Sequence, residues 1–167
     1  SIKISNKIKS YISPQHHVND LFIKDNYLYV SMFSLSGNHK RNIYDGGVFE
    51  IDLLNYRNVN IIYNNLFMPH SIKFIDDNFF VLDSLRGNLL KGNQIMASFP
   101  GFSRGMSFDG NYFFIGQSRN RNFSMINYEK NNVSIDNSIL IYDPVNKFSR
   151  NIYLPFTISE LHEVLVI

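Results

Sequence analysis

The sequence predicts an all-β protein of the β-propeller class or a part of one, and three observations lead to this prediction. One phrase occurs three times, and short aromatic and β-branched runs bounded by Asn, Asp and Gly fill the chain. No window shows the i, i+3, i+4, i+7 apolar spacing of an amphipathic helix. Repetition of a strand-rich unit is typical of repeat architectures, so the pattern indicates the fold class.

The repeated phrase opens with a polar residue, continues through an apolar strand and an Asp/Asn turn, and ends in an aromatic strand. It begins at His17, at His70 and at Arg104, and a fourth copy begins at Glu160. Each opening residue holds the same place in its repeat. We therefore expect the four opening residues, with His162 as an alternative to Glu160, to gather around one axis.

A second hairpin completes each repeat. Residues 48–55 align with residues 139–146, and both segments contain an Asp-x-x-Asn turn, in which the polar side chains can bond nearby backbone N–H groups. Four antiparallel strands in a unit of about 40–50 residues form a propeller blade. The sequence therefore predicts one domain, 1–167, or a portion of a longer one, with blades at 17–66, 70–100 and 104–156 and the first strand of a further blade at 160–167.

Three blades are too few to close a ring, because propellers have about four to eight. We expect either a homo-oligomer or further blades of a longer protein to complete the fold. The predicted core between blades consists of Phe22, Phe74 and Phe108 together with the aromatic strands that begin near Tyr27, Phe79 and Tyr112, since neighbouring sheets bury alternate residues.

Composition narrows the classes of partner and of chemistry. The chain has 167 residues, a formal net charge of +2 and no Cys. Lys and Arg are scattered, so neither nucleic acid nor a membrane surface is an expected partner. The absence of Cys excludes disulfides, thiolate metal sites and a Cys nucleophile. Without a signal-like segment or a long apolar stretch, we expect a soluble, cytoplasmic protein.

Several motifs resemble a bacterial family of uncharacterised propeller-like proteins, some of which sit beside tetratricopeptide repeats. These motifs are Met68-Pro-His-Ser, Leu82-Asp-Ser-Leu-Arg-Gly, Phe99-Pro-Gly-Phe-Ser-Arg-Gly and Glu160-Leu-His-Glu-Val. The resemblance covers most of the chain and implies a propeller-like domain longer than this chain. It implies no particular activity.

The candidate ligand-binding residues are polar side chains at the openings of the repeats, at strand ends and in a long loop: His17, Asn19, His70, Ser71, Asp83, Arg104, Arg121 and Glu160. A guanidinium grips an anion with paired hydrogen bonds, so Arg104 favours a small anionic ligand. Histidines around an axis can also hold a divalent metal, but a guanidinium at the same position repels a cation, and no metal site or cofactor is assigned. A third interpretation is that each opening residue only bonds backbone between blades.

Two function classes remain open. The first is a non-catalytic propeller module that binds a small anionic ligand or a protein partner. The alternative is a hydrolase or lyase that acts on a small anionic substrate at the central channel. In that alternative His17 or His70 is the general base and Arg104 is the electrostatic clamp.

Overall fold

The structure is a computed structural model that describes residues 15–119, 121 and 132–167. In these residues the chain forms twelve β-strands and one short 3-10 turn, His39–Arg41. No helix in the described ranges is long and apolar enough to cross a membrane. Residues 120 and 122–131, inside the predicted third blade, lie outside the described residues.

The first sheet contains β1–β4 in the order β1-β2-β3-β4, with antiparallel neighbours. Its strands are Val18–Lys24 (β1), Tyr27–Met32 (β2), Gly46–Asp52 (β3) and Val59–Leu66 (β4). The Asp52 turn closes as the sequence predicts: Asp52 Oδ1 accepts the N–H of Leu54 at 2.8 Å and that of Asn55 at 3.3 Å.

The second and third sheets repeat this order. The second sheet runs β5-β6-β7-β8, with strands Pro69–Ile75, Asn78–Asp83, Asn88–Lys91 and Gln94–Ser98. The third runs β9-β10-β11-β12, with strands Phe102–Phe108, Phe113–Ser118, Ser138–Asp143 and Phe148–Tyr153. The all-β class and the three four-stranded antiparallel units predicted from the sequence are confirmed.

The described residues fall into two compact units. The first comprises residues 15–69 and contains the first sheet, and the second comprises residues 70–119, 121 and 132–167 and contains the second and third sheets. The single domain predicted from the sequence stays a prediction.

The core of the second unit lies between its two sheets. Its buried residues come from both sheets and the loop that joins them: Phe80, Leu82, Leu89, Phe99, Met106, Phe113, Ile115, Leu140 and Tyr142. The ring centroids of Phe80 and Phe113 lie 5.3 Å apart. Each such aromatic side chain contributes about 1.5–3 kcal/mol through burial.

The expected aromatic core is present only in part. Phe113 is almost completely buried, and Phe108 packs against this core while remaining partly exposed. Tyr27 and Tyr112 are 37% and 41% exposed, because each begins or precedes its strand at the turn, where one side faces solvent.

The two sheets of the second unit are copies of one pattern, displaced by the 34 residues that separate His70 from Arg104. Phe74 and Phe79 pack with ring centroids 5.1 Å apart, and the corresponding pair, Phe108 and Phe113, packs at 4.6 Å. The offset of 34 residues that relates the two copies in the sequence therefore also relates equivalent aromatic pairs in the structure.

These two sheets pack with unlike faces together. Phe80 corresponds to Phe114 in the third sheet, yet it contacts Phe113. Successive residues of a strand point to opposite faces, so Phe79 and Phe80 lie on opposite faces of the second sheet. Phe113 is the counterpart of Phe79. The second sheet therefore packs its Phe80 face against the face of the third sheet that is the counterpart of its own Phe79 face. The packing is head-to-tail.

The segment 160–167 differs from its prediction. It forms no strand, although the sequence predicts one there. A strand needs a hydrogen-bonded neighbour, and the described residues pair none with it. The segment instead crosses the third sheet, where a Cβ added to Gly116 would lie 3.1 Å from Leu161 Cβ and 3.2 Å from Val164 Cγ2.

Candidate functional site

Three of the eight predicted site residues come together in the second unit. Arg104, on β9, lies with its Nη1 3.5 Å from Glu160 Oε2, and Arg121 Nη2 contacts Glu160 Oε1. His162, which the sequence offered as an alternative to Glu160, joins them: its Nδ1 lies 2.7 Å from Arg104 Nη2. We call these four residues the Arg104 cluster.

The geometry of the Arg104 cluster fixes the tautomer of His162. Guanidinium nitrogens only donate and an ionised carboxylate only accepts. His162 Nδ1 therefore accepts from Arg104, and His162 Nε2 donates to Glu160 Oε2 at 3.1 Å. These two hydrogen bonds require a neutral imidazole with its proton on Nε2. His162 thus bridges Arg104 and Glu160, in addition to their direct ion pair.

Arg104 is a partly buried cation held by this arrangement. Its side chain is 17% exposed, whereas those of Arg121 and His162 are 71% and 66% exposed. Burial lowers the pKa of Arg104 from its usual value, and the nearby Glu160 carboxylate opposes that shift. The Nε of Arg104 is buried and has no acceptor among the described residues. The cluster therefore combines an enclosed guanidinium with an exposed one.

The backbone next to the cluster is held separately. Ser118 Oγ donates to the carbonyl of Leu161 at 3.0 Å and accepts its N–H at 2.9 Å. Gly105, with φ +71°, lets the segment approach closely, since a Cβ there would lie 2.7 Å from Glu163 Cα. These contacts place Glu160 and His162 on either side of an anchored residue.

His70 lies at the start of its strand in a buried position. Its Nδ1 lies 2.8 Å from Ser84 Oγ, and its ring packs edge-on against Phe102 at a centroid distance of 5.5 Å. Ser71, the next residue, is buried and has φ 55°. His70 thus anchors the end of the neighbouring strand.

His17 does not hold the place of His70 in its own sheet. Ser71 and Gly105 directly follow the opening residues of their repeats, and both have left-handed backbone, φ 55° and φ 71°. In the first sheet the left-handed residue at this place is His17 itself, φ 53°. The residue that precedes it, and so corresponds to the two opening residues, is His16.

The contacts of His16 agree with this assignment. His16 Nδ1 lies 2.9 Å from the carbonyl oxygen of Ser34, as His70 Nδ1 lies against Ser84. The extra residue lies around Asn19 in β1 but between Ser103 and Met106 in β9, so the two repeats do not align at a constant offset. The adjacent pair of histidines was the only signal that could have revealed it.

Two of the other predicted residues, His17 and Asn19, make contacts within the first sheet and its flanking segments. The ring of His17 stacks on Phe33 at 4.2 Å. Asn19 donates to the Pro69 carbonyl at 2.5 Å and accepts from Ser31 Oγ at 2.6 Å. Phe33, Pro69 and Ser31 all belong to the first unit.

Asp83 is buried and faces Arg86 Nη1 at 3.4 Å, a pairing that belongs to the turn after β6. In the described part of the chain, no three His, Asp or Glu side chains come together in the manner of a metal site.

Sequence reasoning missed one cavity. It has a volume of about 440 Å³ and is lined in part by Arg119, Asn137, Tyr153 and Phe156. The guanidinium of Arg119 lies 4.7 Å from the centre of the Phe156 ring, a cation–π contact. These residues fall outside the repeated phrase, so the pattern gave no signal for them.

A family model described as a domain of unknown function, DUF4915, matches residues 8–167. The chain belongs to this family. No curated protein and no solved structure matches it. Within the DUF4915 region, three of the eight predicted site residues converge at the Arg104 cluster, where two guanidiniums are directed at one carboxylate.

Proposed function

We propose that this chain is part of a propeller-type, non-catalytic module that binds an anionic group of a small ligand or of a protein partner at the Arg104 cluster. The observation that carries the proposal is the convergence of Arg104 and Arg121 on one carboxylate, that of Glu160. With His162 neutral, two positive charges face one negative charge, so the cluster keeps a net positive charge.

The head-to-tail packing in the second unit supports the propeller part of the proposal. A sandwich with a local two-fold axis brings like faces together, whereas Phe80 contacts Phe113, the residue that corresponds to Phe79. Unlike faces in contact make a heterologous interface, and repetition of such an interface by rotation builds a ring. The segment 160–167 lies on the Gly116 face, where a further sheet belongs in such a ring.

The first sheet supports the same proposal through its apolar face. Cross-strand pairing places two rows of four apolar residues on that face: Leu21, Val30, Phe49 and Ile61, and Ile23, Leu28, Ile51 and Val59. The edges of both rows are exposed, at 60% for Leu21 and 65% for Ile23. A propeller covers such a face with another sheet.

The enzyme alternative needs a nucleophile that substrate can reach, and the histidine–serine contact described in the second unit does not supply one. The histidine and serine that do meet, His70 and Ser84, are both buried, and Ser84 is completely inaccessible. A nucleophile must reach its substrate, so this pair has the geometry of a structural hydrogen bond. The general base predicted at His70 stays a prediction that turnover measurements test.

Isothermal titration with inorganic phosphate and with succinate at low ionic strength tests the proposed function. We expect Arg104→Lys to weaken binding nearly as much as Arg104→Ala, because lysine keeps the charge but loses the paired donors. Each lost charge-assisted bond is worth about 1.5–3 kcal/mol. Arg121→Ala, at an exposed position, gives a second variant that is expected to fold.

Arg150→Ala is the matched control, because Arg150 is an exposed arginine of β12 in the same unit. Equal binding by the wild type, Arg104→Ala and Arg121→Ala contradicts the proposed site. Hydrolysis of p-nitrophenyl phosphate or acetate that disappears in His70→Ala supports the enzyme alternative instead.

A further inference from the structure

The Arg104 cluster already contains a carboxylate in the position of a ligand. Glu160 Oε2 lies 3.5 Å from Arg104 Nη1 and 3.1 Å from His162 Nε2, while Oε1 contacts Arg121 Nη2. Both oxygens are therefore engaged by donors from different parts of the chain, as the oxygens of a bound carboxylate are. The Glu160 side chain is 25% exposed.

We propose that Arg104 and Arg121 form a carboxylate-binding site that Glu160 occupies in this structure, and that the segment 160–166 is a latch that keeps external anions out of it. This inference rests on the proposed function, since it assigns the class of ligand and the means of control to the same site. A ligand carboxylate replaces the Glu160 side chain, with no bond made or broken.

Charge balance explains why an emptied site takes up an anion. Arg104 is mostly buried, and its guanidinium meets Glu160 both directly and through His162. Removing one partner of a buried ion pair leaves the other charge uncompensated, which costs more than the pair contributes. A cluster with two guanidiniums and no carboxylate therefore recruits an anion from solution.

The latch keeps its place through contacts that do not involve Glu160. Ser118 holds both backbone groups of Leu161, and the Val166 N–H donates to Ser107 Oγ at 3.2 Å. Lys73 Nζ lies 3.6 Å from Glu163 Oε1. Truncation of Glu160 at Cβ therefore leaves the backbone anchored and opens a space between the two guanidiniums.

Chemical rescue with acetate tests the latch. Thermal and urea unfolding of Glu160→Ala are measured with increasing sodium acetate against sodium chloride at constant ionic strength, and acetate binding is titrated directly by NMR. We expect Glu160→Ala to be less stable than the wild type and to recover stability in a saturable way with acetate. Its acetate affinity should exceed that of the wild type by tenfold or more, about the value of one charge-assisted hydrogen bond.

Glu163→Ala is the matched control, because it removes a glutamate and an ion pair from the same segment. It should lose some stability and show no acetate rescue. Adding Arg104→Ala to Glu160→Ala should abolish the rescue. If Glu160→Ala is too unstable to handle, Glu160→Gln, which keeps the shape, should bind acetate more weakly than Glu160→Ala because the amide still fills the space.

The outcomes separate this inference from the proposed function. Rescue of Glu160→Ala by acetate supports the carboxylate site and the latch, whereas phosphate and succinate that bind neither the wild type nor Glu160→Ala contradict the proposed function. Anion binding by the wild type that Glu160→Ala does not strengthen contradicts the latch and leaves the proposed function standing. Rescue that persists without Arg104 overturns the inference.

Discussion

A buried serine lies at or just after the end of the second strand of each sheet, and it has a different hydrogen-bond partner in each one. Ser34, Ser84 and Ser118 are 0%, 0% and 1% exposed. The Ser34 hydroxyl donates to Asp45 at 2.5 Å, that of Ser84 meets His70, and that of Ser118 binds Leu161. Most buried hydroxyls in proteins are hydrogen-bonded, and each sheet supplies a different partner for this serine.

Replacing Ser118 by alanine tests this role at the residue scale. The change leaves the N–H and carbonyl of Leu161 without their hydroxyl partner, so we expect a loss of about 1–3 kcal/mol in the free energy of unfolding, measured in urea. Ser149→Ala, at an exposed position of β12, is the control and should cost less than about 0.5 kcal/mol. Equal stability of the two variants contradicts the assigned contact.

At the scale of the element, the segment 160–166 depends on glycines of the third sheet. Gly105 lies in left-handed backbone at φ +71°, and a Cβ added to Gly116 would lie only 2.3 Å from the Arg104 carbonyl oxygen and 3.1 Å from Leu161 Cβ. Glycine is the residue that permits both the backbone angle and the close approach. The sheet thus leaves room for an extended segment to cross its face.

Gly105→Ala and Gly92→Ala separate these two effects. Both positions have positive φ, at +71° and +51°, but nothing lies within 4 Å of a Cβ at Gly92, whereas the Glu163 backbone lies 2.7 Å from one at Gly105. We expect Gly92→Ala to cost about 1–2 kcal/mol through backbone strain alone. Gly105→Ala should cost more and should expose the segment to carboxypeptidase. A segment equally protected in both variants contradicts the close packing.

At the scale of the whole molecule, the apolar face of the first sheet is exposed along both of its edges. Its edge residues Leu21, Ile23, Val59 and Ile61 are between 46% and 65% exposed. These residues lie on the two edge strands, Val30 between them is 8% exposed, and exposed apolar groups of this kind are typical of interaction surfaces. The homo-oligomer or the additional blades expected from the sequence remain predictions.

Sedimentation of the isolated chain over a range of concentrations tests this expectation. We expect association that strengthens with concentration, because covering apolar area contributes about 25 cal/mol per Å². Leu21→Glu with Ile61→Glu should reduce it, since a buried carboxylate without a partner is costly. Val145→Glu, at a turn position that is 83% exposed, is the control and should have no effect. A compact monomer at every concentration contradicts the expectation.

The sequence by itself determined the strands, their grouping in fours and the turns between them. These features depend on local chemistry, namely the alternation of side chains along a strand and Asp-x-x-Asn turns such as that at Asp52. The repeated phrase also predicts equivalent aromatic pairs, and the structure contains them at Phe74–Phe79 and Phe108–Phe113. The sequence also selected Arg104, Arg121 and Glu160, because their charges stand out at repeat openings and in a loop.

Only the tertiary structure decided which candidates meet. It joined Arg104 to Glu160 and His162 across 56 and 58 residues of chain, and it gave the place of an opening residue to His16 instead of His17. A register shift of one residue changes the face on which a side chain lies, and the residue types along the strand do not show where such a shift occurs. The pairing of charges that are distant in the sequence depends likewise on how the segment 160–167 crosses the third sheet, and the local sequence pattern does not determine that path.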